Sequence, residues 1–410
     1  MNLDQEDVSV KKSISRNQQI PCAIVISIDS MPGLQAARIL AGKKIPVIAL
    51  AKDPKHHSCR TNVCEEIIIT NTESEQLITT LVEIGPTFSH RPVLFPCQDT
   101  DVLLISRYRN KLEKWYHIVL PEPDVVEILM DKMRFHGWAE THGFPVPQTC
   151  IVNNNGQLEE MIPRLTFPCL LKPTKRTPAW IEHTSSKAFI ISDKDELLSV
   201  FDRHKQWADS FVVQQLIEGD DTTLYSCNCY FDRNALPKVT FIARKIRQWP
   251  PRTGQSCLGE ECKNDVVLNV SLDVFKKANF RGLGYLEMKY DTKTQKHYII
   301  EPNIGRPTGR SAIAEAGGVE LLYTMYRDAI GQPILEESKQ TYTGVKWIHL
   351  LRDLQSSFYY WREGELTLKE WCKSIRGKKA YAIFSWSDPL PFLSALWAGF
   401  LHVVFSKNKT

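Results

Sequence analysis

Cys22 to Ile28 (CAIVISI) is an unbroken apolar, largely β-branched run, and a second, Pro46 to Ala51 (PVIALA), follows closely. Between them lie a turn, Asp29-Ser30-Met31-Pro32-Gly33, and a helical stretch, Leu34 to Ala41. Short runs that are apolar at every position are strands buried on both faces. Strand, turn, helix, strand is a βαβ unit, which obliges the two strands to lie parallel. The rhythm continues with Glu66 to Thr70 as strand, Glu75 to Ile84 as helix and Val93 to Phe95 as strand. The turn from Ser27 to Gly33 is placed to receive a ligand at a helix N-terminus. It lacks the three spaced glycines of a dinucleotide fingerprint, which argues against a nicotinamide or flavin site.

Composition narrows the partners. The chain has 410 residues, 43% hydrophobic and 24% charged, enough to bury more than one core. Its 51 Lys+Arg and 47 Asp+Glu leave +4, which gives no electrostatic case for a nucleic-acid partner. Residues 1–20 form a polar, charged tail without the apolar run of a secretory signal. Eleven cysteines at irregular spacing do not make a disulfide scaffold, so reduced thiols in a cytoplasmic protein are expected.

The pattern changes at Asp124. Val125 to His142 reads as one helix, stopped by Gly143, Pro145 and Pro147. Phe167 to Lys172, Ala188 to Ser192, Phe211 to Leu216, Leu224 to Phe231 and Lys238 to Arg247 read as strands. Glu196 to Phe201 and Ser271 to Asn279 read as helices, and Leu283 to Tyr290 with His297 to Pro302 as a strand pair. This is an α+β body with antiparallel sheet. From residue 334 a segment rich in tryptophan and tyrosine follows. The expected divisions are a tail at 1–20, an α/β domain at 21–123, an α+β body at 124–333, a C-terminal segment at 334–388 and an apolar tail at 389–410.

The strand pair carries the chemistry. Glu287 and Glu301 fall on its two strands, and Asn303 shares a face with Glu301 because strand side chains two apart point the same way. Two carboxylates and an amide oxygen suit Mg²⁺ shared with nucleotide phosphates, Mn²⁺ being the other hard cation that fits. A solvated hairpin face is the alternative. Lys172 closes the apolar strand in PCLLKP, where a cation needs an anionic partner such as phosphate or an exit to solvent. Lys132 follows Asp131 on the preceding helix. Gln214-Gln215-Leu216-Ile217-Glu218-Gly219-Asp220-Asp221 ends a strand in a glycine turn that can present backbone groups to a base and a carboxylate to ribose hydroxyls.

In this order, Asp-Lys, a GxPxP stop, a PxxxKP strand, QxxxxGxD, a basic strand and then E…ExN, the chain resembles the ATP-grasp superfamily from about Pro21 to Pro333. Within it the sequence looks most like predicted carboxylate–amine ligases related to D-aspartate ligase. The resemblance implies an α/β pre-ATP-grasp domain, an α+β ATP-grasp fold of two subdomains and a small C-terminal segment. It also implies that Lys132, Lys172 and Lys187 contact ATP phosphates, and that Gln214, Gln215, Leu216 and Ile217 receive adenine. Asp221 would hold ribose, and Arg244 or Lys245 would lend a cation to the triphosphate or substrate. Glu287, Glu301 and Asn303 would ligate Mg²⁺, while Arg306 and Arg310 would stabilise an acyl phosphate and hold an acidic substrate.

Three departures stand out. The usually glycine-rich phosphate loop is here Thr174 to Ser186 (TKRTPAWIEHTSS), without glycine. The hinge is Gln-Gln where Gln-Glu is usual, and the ExNxR pattern is one residue longer before Arg306. The implied reaction is ATP-dependent joining of a carboxylate to an amine through an acyl phosphate, with amino-acid or cell-envelope type substrates. A nucleotide-binding module without catalysis is the alternative that the glycine-free loop favours. Pro389 to Phe405 is uncharged and apolar but shorter than the ~20 residues that span a bilayer. It is expected either to pack on the domain or to lie on the inner membrane surface as an interfacial helix. The aromatic segment around Trp347, Trp361, Trp371 and Trp386 reads mainly as core, with an acceptor pocket as the alternative.

Overall fold

The computed structural model describes residues 19–406 except 175, 176, 185, 187, 253 and 337. Lys187 therefore lies outside the described residues. Strands β1 (Ala23–Ile26), β2 (Val47–Ala51), β3 (Glu66–Ile69) and β4 (Val93–Phe95) form a parallel sheet in the order β3-β2-β1-β4. Every residue of β1, β2 and β4 is buried, as the continuous apolar runs require. The helix Met31–Gly42 leaves β1 through a tight turn capped by the Ser30 hydroxyl, which accepts from Gly33 N at 3.1 Å. A Cβ on Gly33 would lie 2.4 Å from the Ser27 carbonyl oxygen, so only glycine lets the helix start this close to the strand.

A second sheet of four antiparallel strands is formed by β5 (Thr149–Val152), β6 (Cys169–Pro173), β7 (Phe189–Ile191) and β8 (Phe211–Gln215), in the order β5-β8-β6-β7. It has its own core, in which Trp180, Phe201 and Phe211 are buried together. The third sheet has eight strands: β9 (Leu224–Phe231), β10 (Pro237–Trp249), β11 (Gln255–Glu261), β12 (Gly282–Asp291), β13 (Lys296–Ile304), β14 (Ser338–Lys339), β15 (Lys346–Ile348) and β16 (Lys379–Tyr381). Their order is β13-β12-β9-β10-β11-β15-β16, with β14 beside β10. Residues of the first and third sheets share two continuous cores, so these two sheets pack as one body.

One expectation changes. The single helix over Val125–His142 is two, Pro123–Met130 and Lys132–Thr141, because Asp131 is extended and its carboxylate caps the second by accepting from Met133 N and Arg134 N at 2.9 and 2.8 Å. Lys132 thereby opens a helix instead of sitting inside one. The segment from residue 334 is built into the large sheet: β15 and β16 extend it past β11, and the helix Leu350–Arg362 packs on β10. The apolar tail forms the helix Leu390–Ser406, with Phe392 and Ala395 packed against the core. Among the described residues no helix is long and apolar enough to cross a membrane.

Candidate active site

A cleft of about 1590 Å³ opens where the three sheets meet. Antiparallel pairing sets its floor. Glu287 stands opposite Glu301, and Tyr285 opposite Asn303, so strand alternation points all four side chains to the same face. Glu287, Glu301 and Asn303, the residues singled out on this strand pair, thus stand on one face of it.

Each of these oxygen donors faces a cation. Lys245 Nζ lies 2.7 Å from Glu287 Oε1, and Arg310 Nη2 lies 3.8 Å from Glu287 Oε2. Lys132 Nζ, at the start of its helix, lies 3.1 Å from Glu301 Oε2. Arg306 Nη2 donates to Asn303 Oδ1 at 2.9 Å while its Nε donates to Asp99 Oδ1 at 2.6 Å, tying the cleft floor to the first sheet. Burial pushes the Glu287 carboxyl up, but the Lys245 ammonium and the Arg310 guanidinium outweigh it and hold the group below the usual carboxylate value. Two carboxylates and an amide oxygen, ringed by cations that can turn to an anion, are a donor set that fits Mg²⁺ beside phosphate.

The second sheet supplies the opposite wall. Lys172, on β6, donates to Gln214 Oε1 at 3.1 Å, and Gln214 Nε2 donates to Thr149 Oγ1 at 2.8 Å. Desolvation lowers the Lys172 pKa and the neighbouring Lys132 lowers it further, against the pull of Glu301. Two lysines close enough to disfavour each other's charge are relieved by an anion between them. Gln215, Leu216 and Ile217 line the cleft. The N–H groups of Gln215 and Leu216 are engaged by the carbonyls of Gln148 and Pro168 at 2.8 and 3.3 Å.

Some expected residues take other places. Arg244 points to the other face of the sheet from Lys245, where Nε and Nη2 bind Glu260 Oε1 at 2.8 and 2.6 Å. Asp221 borders the cleft, but its Oδ1 accepts from Gln248 Nε2 at 2.7 Å, and its Oδ2 accepts from Gln248 N at 3.1 Å and the Tyr360 hydroxyl at 2.9 Å. Its carboxylate is thus engaged by three protein donors at the edge of the cleft. A bulge in β10 around Arg247 turns the Gln248 N–H out of the ladder to reach it. The glycine-free segment after Lys172 forms a short helix, Pro178–His183, capped by Thr177 and anchored by the buried Trp180.

Sequence reasoning gave a pocket in the C-terminal segment only as the alternative to core packing, and it did not single out Arg352 or Tyr360. Trp347, Arg352 and Tyr360 all line the cleft. Trp361 and Trp386 are exposed, and Trp371 Nε1 donates at 3.0 Å to Asp353, which also pairs with Arg247. The available signal was a tryptophan in the short apolar run VKWI, since a buried indole N–H needs a partner.

No family model matches the chain. Over 269 residues it is 24% identical to D-aspartate ligase of Enterococcus faecium, an alignment that spans 62% of this chain and 62% of that relative's length. In three dimensions it matches N5-carboxyaminoimidazole synthetase of Staphylococcus aureus with a TM-score of 0.60 at 14% identity, covering 77% of this chain and 79% of that one. It also matches the biotin carboxylase domain of Hydrogenobacter thermophilus 2-oxoglutarate carboxylase, solved with MgADP, ADP and bicarbonate. There the TM-score is 0.60 at 16% identity, covering 78% and 72% of the two chains. The chain thus shares its fold with these proteins and is similar in sequence to D-aspartate ligase over 62% of its length.

Proposed function

We propose that the protein is an ATP-dependent ligase that activates a carboxylate as an acyl phosphate and joins it to an amine. The observation that carries this reading is the convergence of Glu287, Glu301 and Asn303 on one sheet face with Lys132, Lys172, Lys245, Arg306 and Arg310 around them. The parallel sheet serves as the pre-ATP-grasp domain, and the second, antiparallel sheet and the third, mixed sheet as the jaws that hold nucleotide. Adenine lies along Gln214–Ile217, and the likeness to D-aspartate ligase favours an amino-acid type substrate.

In the reaction a carboxylate oxygen attacks the γ-phosphorus of ATP, and ADP leaves with the electron pair of the broken P–O bond. The amine nitrogen then attacks the acyl carbon, the C–O bond to phosphate breaks with its pair leaving on phosphate, and the nitrogen loses a proton. Glu287, Glu301 and Asn303 would hold Mg²⁺, which would supply charge neutralisation for the transferring phosphoryl group. Lys132 and Lys172 hold phosphate oxygens from the two sides of the cleft. Lys245 neutralises charge next to Glu287, and Arg306 fixes Asn303. Positioning and electrostatics carry the catalysis, so no side-chain nucleophile is required. The test is ADP release on mixing the protein with Mg·ATP and a panel of amino acids and cell-envelope precursors. Turnover that survives Glu301→Gln would refute the metal assignment.

The folding of the glycine-free segment into Pro178–His183 favours a second reading, a nucleotide-binding module without catalysis. That reading expects tight Mg·ATP binding and no ADP formation with any acceptor.

A further inference from the structure

The helix Leu390–Ser406 is committed to the rest of the molecule along one side. Pro391 is buried, and Phe392 and Ala395 pack against the core. The other side turns outward and is apolar. Leu390, Leu393 and Trp397, three and four residues apart, fall on one helical face and are 55%, 55% and 64% exposed. Trp386, just before the helix, is 89% exposed. From Pro389 to Phe405 the sequence has no Asp, Glu, Lys or Arg.

A basic stretch adjoins this apolar side. Residues 369–379 (KEWCKSIRGKK) hold five Lys or Arg against one Glu, a surplus of four that equals the formal net charge of the whole chain, +4. Lys373, Arg376 and Lys378 are exposed. The stretch runs into β16, where Lys379 and Tyr381 point to the same face because strand side chains alternate. The Tyr381 ring meets Phe384 at 5.4 Å between centroids, and Phe384 meets Trp386 at 4.8 Å and Phe392 at 5.2 Å. A path of ring contacts thus joins the basic strand to the base of the helix. Between residues 380 and 406 the sole acidic residue is Asp388, which is buried and paired with Arg38, so it does not offset the basic stretch.

We propose that this face docks on the surface of an anionic lipid bilayer, with the helix lying in the interface and residues 369–379 over the headgroups. Contiguous exposed leucine and tryptophan mark a surface that binds something apolar. Leucine side chains enter the acyl boundary, tryptophan rings sit at headgroup level, and lysine and arginine side chains reach anionic lipid. A bilayer requires an apolar face and a surplus of cations but no matched hydrogen-bond partners, and this face offers that combination. A second copy of the chain fits it less well, because a two-fold contact through the helix brings two basic stretches toward each other. The inner side of the helix stays packed on the core, so the protein rests on the membrane without spanning it.

The test is flotation of the full chain with vesicles of phosphatidylcholine alone, and of phosphatidylcholine and phosphatidylglycerol in equal parts. Binding to the anionic vesicles should exceed binding to the neutral ones at least ten-fold and fall as salt is raised. The triple variant Trp386→Ser/Leu390→Ser/Leu393→Ser should lower partition at least five-fold. The double variant Arg376→Glu/Lys378→Glu should lower partition to the anionic vesicles at least five-fold, and it carries the test if the triple variant does not fold. Absence of binding to the anionic vesicles overturns the proposal. So does partition left unchanged by a folded triple variant, or by the double variant where the former is lost. A dimer in sedimentation that the triple variant dissociates, with no vesicle binding, would assign the face to a second copy and overturn the proposal as well. The cleft residues take no part, so the outcome bears on this surface alone and leaves the ligase reading to its own assay.

Discussion

Glu287 and Glu301 face each other across one rung of the β12–β13 ladder, yet their surroundings differ sharply. The Glu287 side chain is 19% exposed against a Lys245 side chain at 8%, whereas Glu301 at 36% meets a Lys132 that is 78% exposed. An exposed ion pair contributes about 0–1 kcal/mol, while removing one partner of a buried pair costs roughly 3–5 kcal/mol. Glu287→Gln is therefore expected to lower unfolding stability by about 3 kcal/mol, because it leaves Lys245 and Arg310 without their carboxylate. Glu301→Gln should leave stability within about 1 kcal/mol and still lower ADP formation by about 10²–10³-fold, the leverage of a transition-state charge contact. Urea unfolding of both variants beside ADP assays separates the roles; equal losses of stability would show that the two carboxylates are equivalent.

Asp221 and Tyr360 make a second test. The buried carboxylate holds three hydrogen bonds, one of them from a helix of the C-terminal segment. Desolvation raises its pKa, and the Tyr360 and Gln248 donors oppose that rise. Tyr360→Phe removes one donor, which is expected to cost about 1–3 kcal/mol and to raise the Asp221 pKa further. Because Asp221 is engaged within the protein, Asp221→Asn should not abolish discrimination between ATP and 2′-deoxy-ATP in binding assays. Loss of that discrimination would return Asp221 to the ribose.

What was legible in the chain follows from where each signal is local. The parallel sheet was readable because strands buried on both faces are apolar at every position, as in CAIVISI and PVIALA. That Glu287 and Glu301 lie on neighbouring strands was readable from two apolar runs joined by a short turn. Their direct facing depends on a register the sequence reading did not specify. The break at Asp131 was missed although an aspartate that can cap Met133 and Arg134 is a local signal; the apolar periodicity on both sides masked it. The short helix after Thr177 also had its signal in Thr-Pro, a cap followed by proline at the first helical position. Trp347, Tyr360 and Gln248 could not be placed in the cleft from sequence, since they arrive there through pairing of β15 with β11 and packing of a distant helix on β10.

Stability should depend on pH through groups that pull in opposite directions. His57 and His349 are both depressed to about 4, first by burial and then by neighbouring charge, with Arg352 acting on each. The unfolded chain binds more protons than the folded one between about 4 and the ordinary histidine value near 6.5, so their contribution is lost as pH falls through that window. Asp101 and Glu315 are raised to about 7 by burial, so the stability they contribute is present below the ordinary carboxylate range and is lost as pH rises through 7. The wild type is expected to show a shallow dependence between pH 4 and 7. The double variant His57→Gln/His349→Gln should become progressively less stable as pH rises across the same range. Parallel pH profiles of the unfolding midpoint for the two proteins would reject this account.

One buried residue, Asp388, anchors the chain just before the tail helix. Asp388 is 1% exposed and accepts from Arg38 Nε at 2.9 Å, from Asn62 N at 3.1 Å and from the Thr61 hydroxyl. Arg38 Nη1 and Nη2 bind the carbonyl oxygens of Ile383 and Asp388 at 2.6 and 2.8 Å. These contacts fasten residues 383–388 to the first sheet's domain and aim the helix Leu390–Ser406 so that Phe392 reaches Phe384, with ring centroids 5.2 Å apart. Leu393 and Trp397 remain largely exposed on the helix. Asp388→Ala strands the Arg38 guanidinium and the Asn62 N–H, so a loss on the order of 3–5 kcal/mol is expected, concentrated in this contact. Hydrogen exchange should then quicken from residue 383 to residue 399 while β1 and β2 stay protected. If exchange in that stretch is unchanged, the helix is held by Phe392 and Ala395 alone, and deleting residues 389–410 should then lower stability by more than Asp388→Ala does.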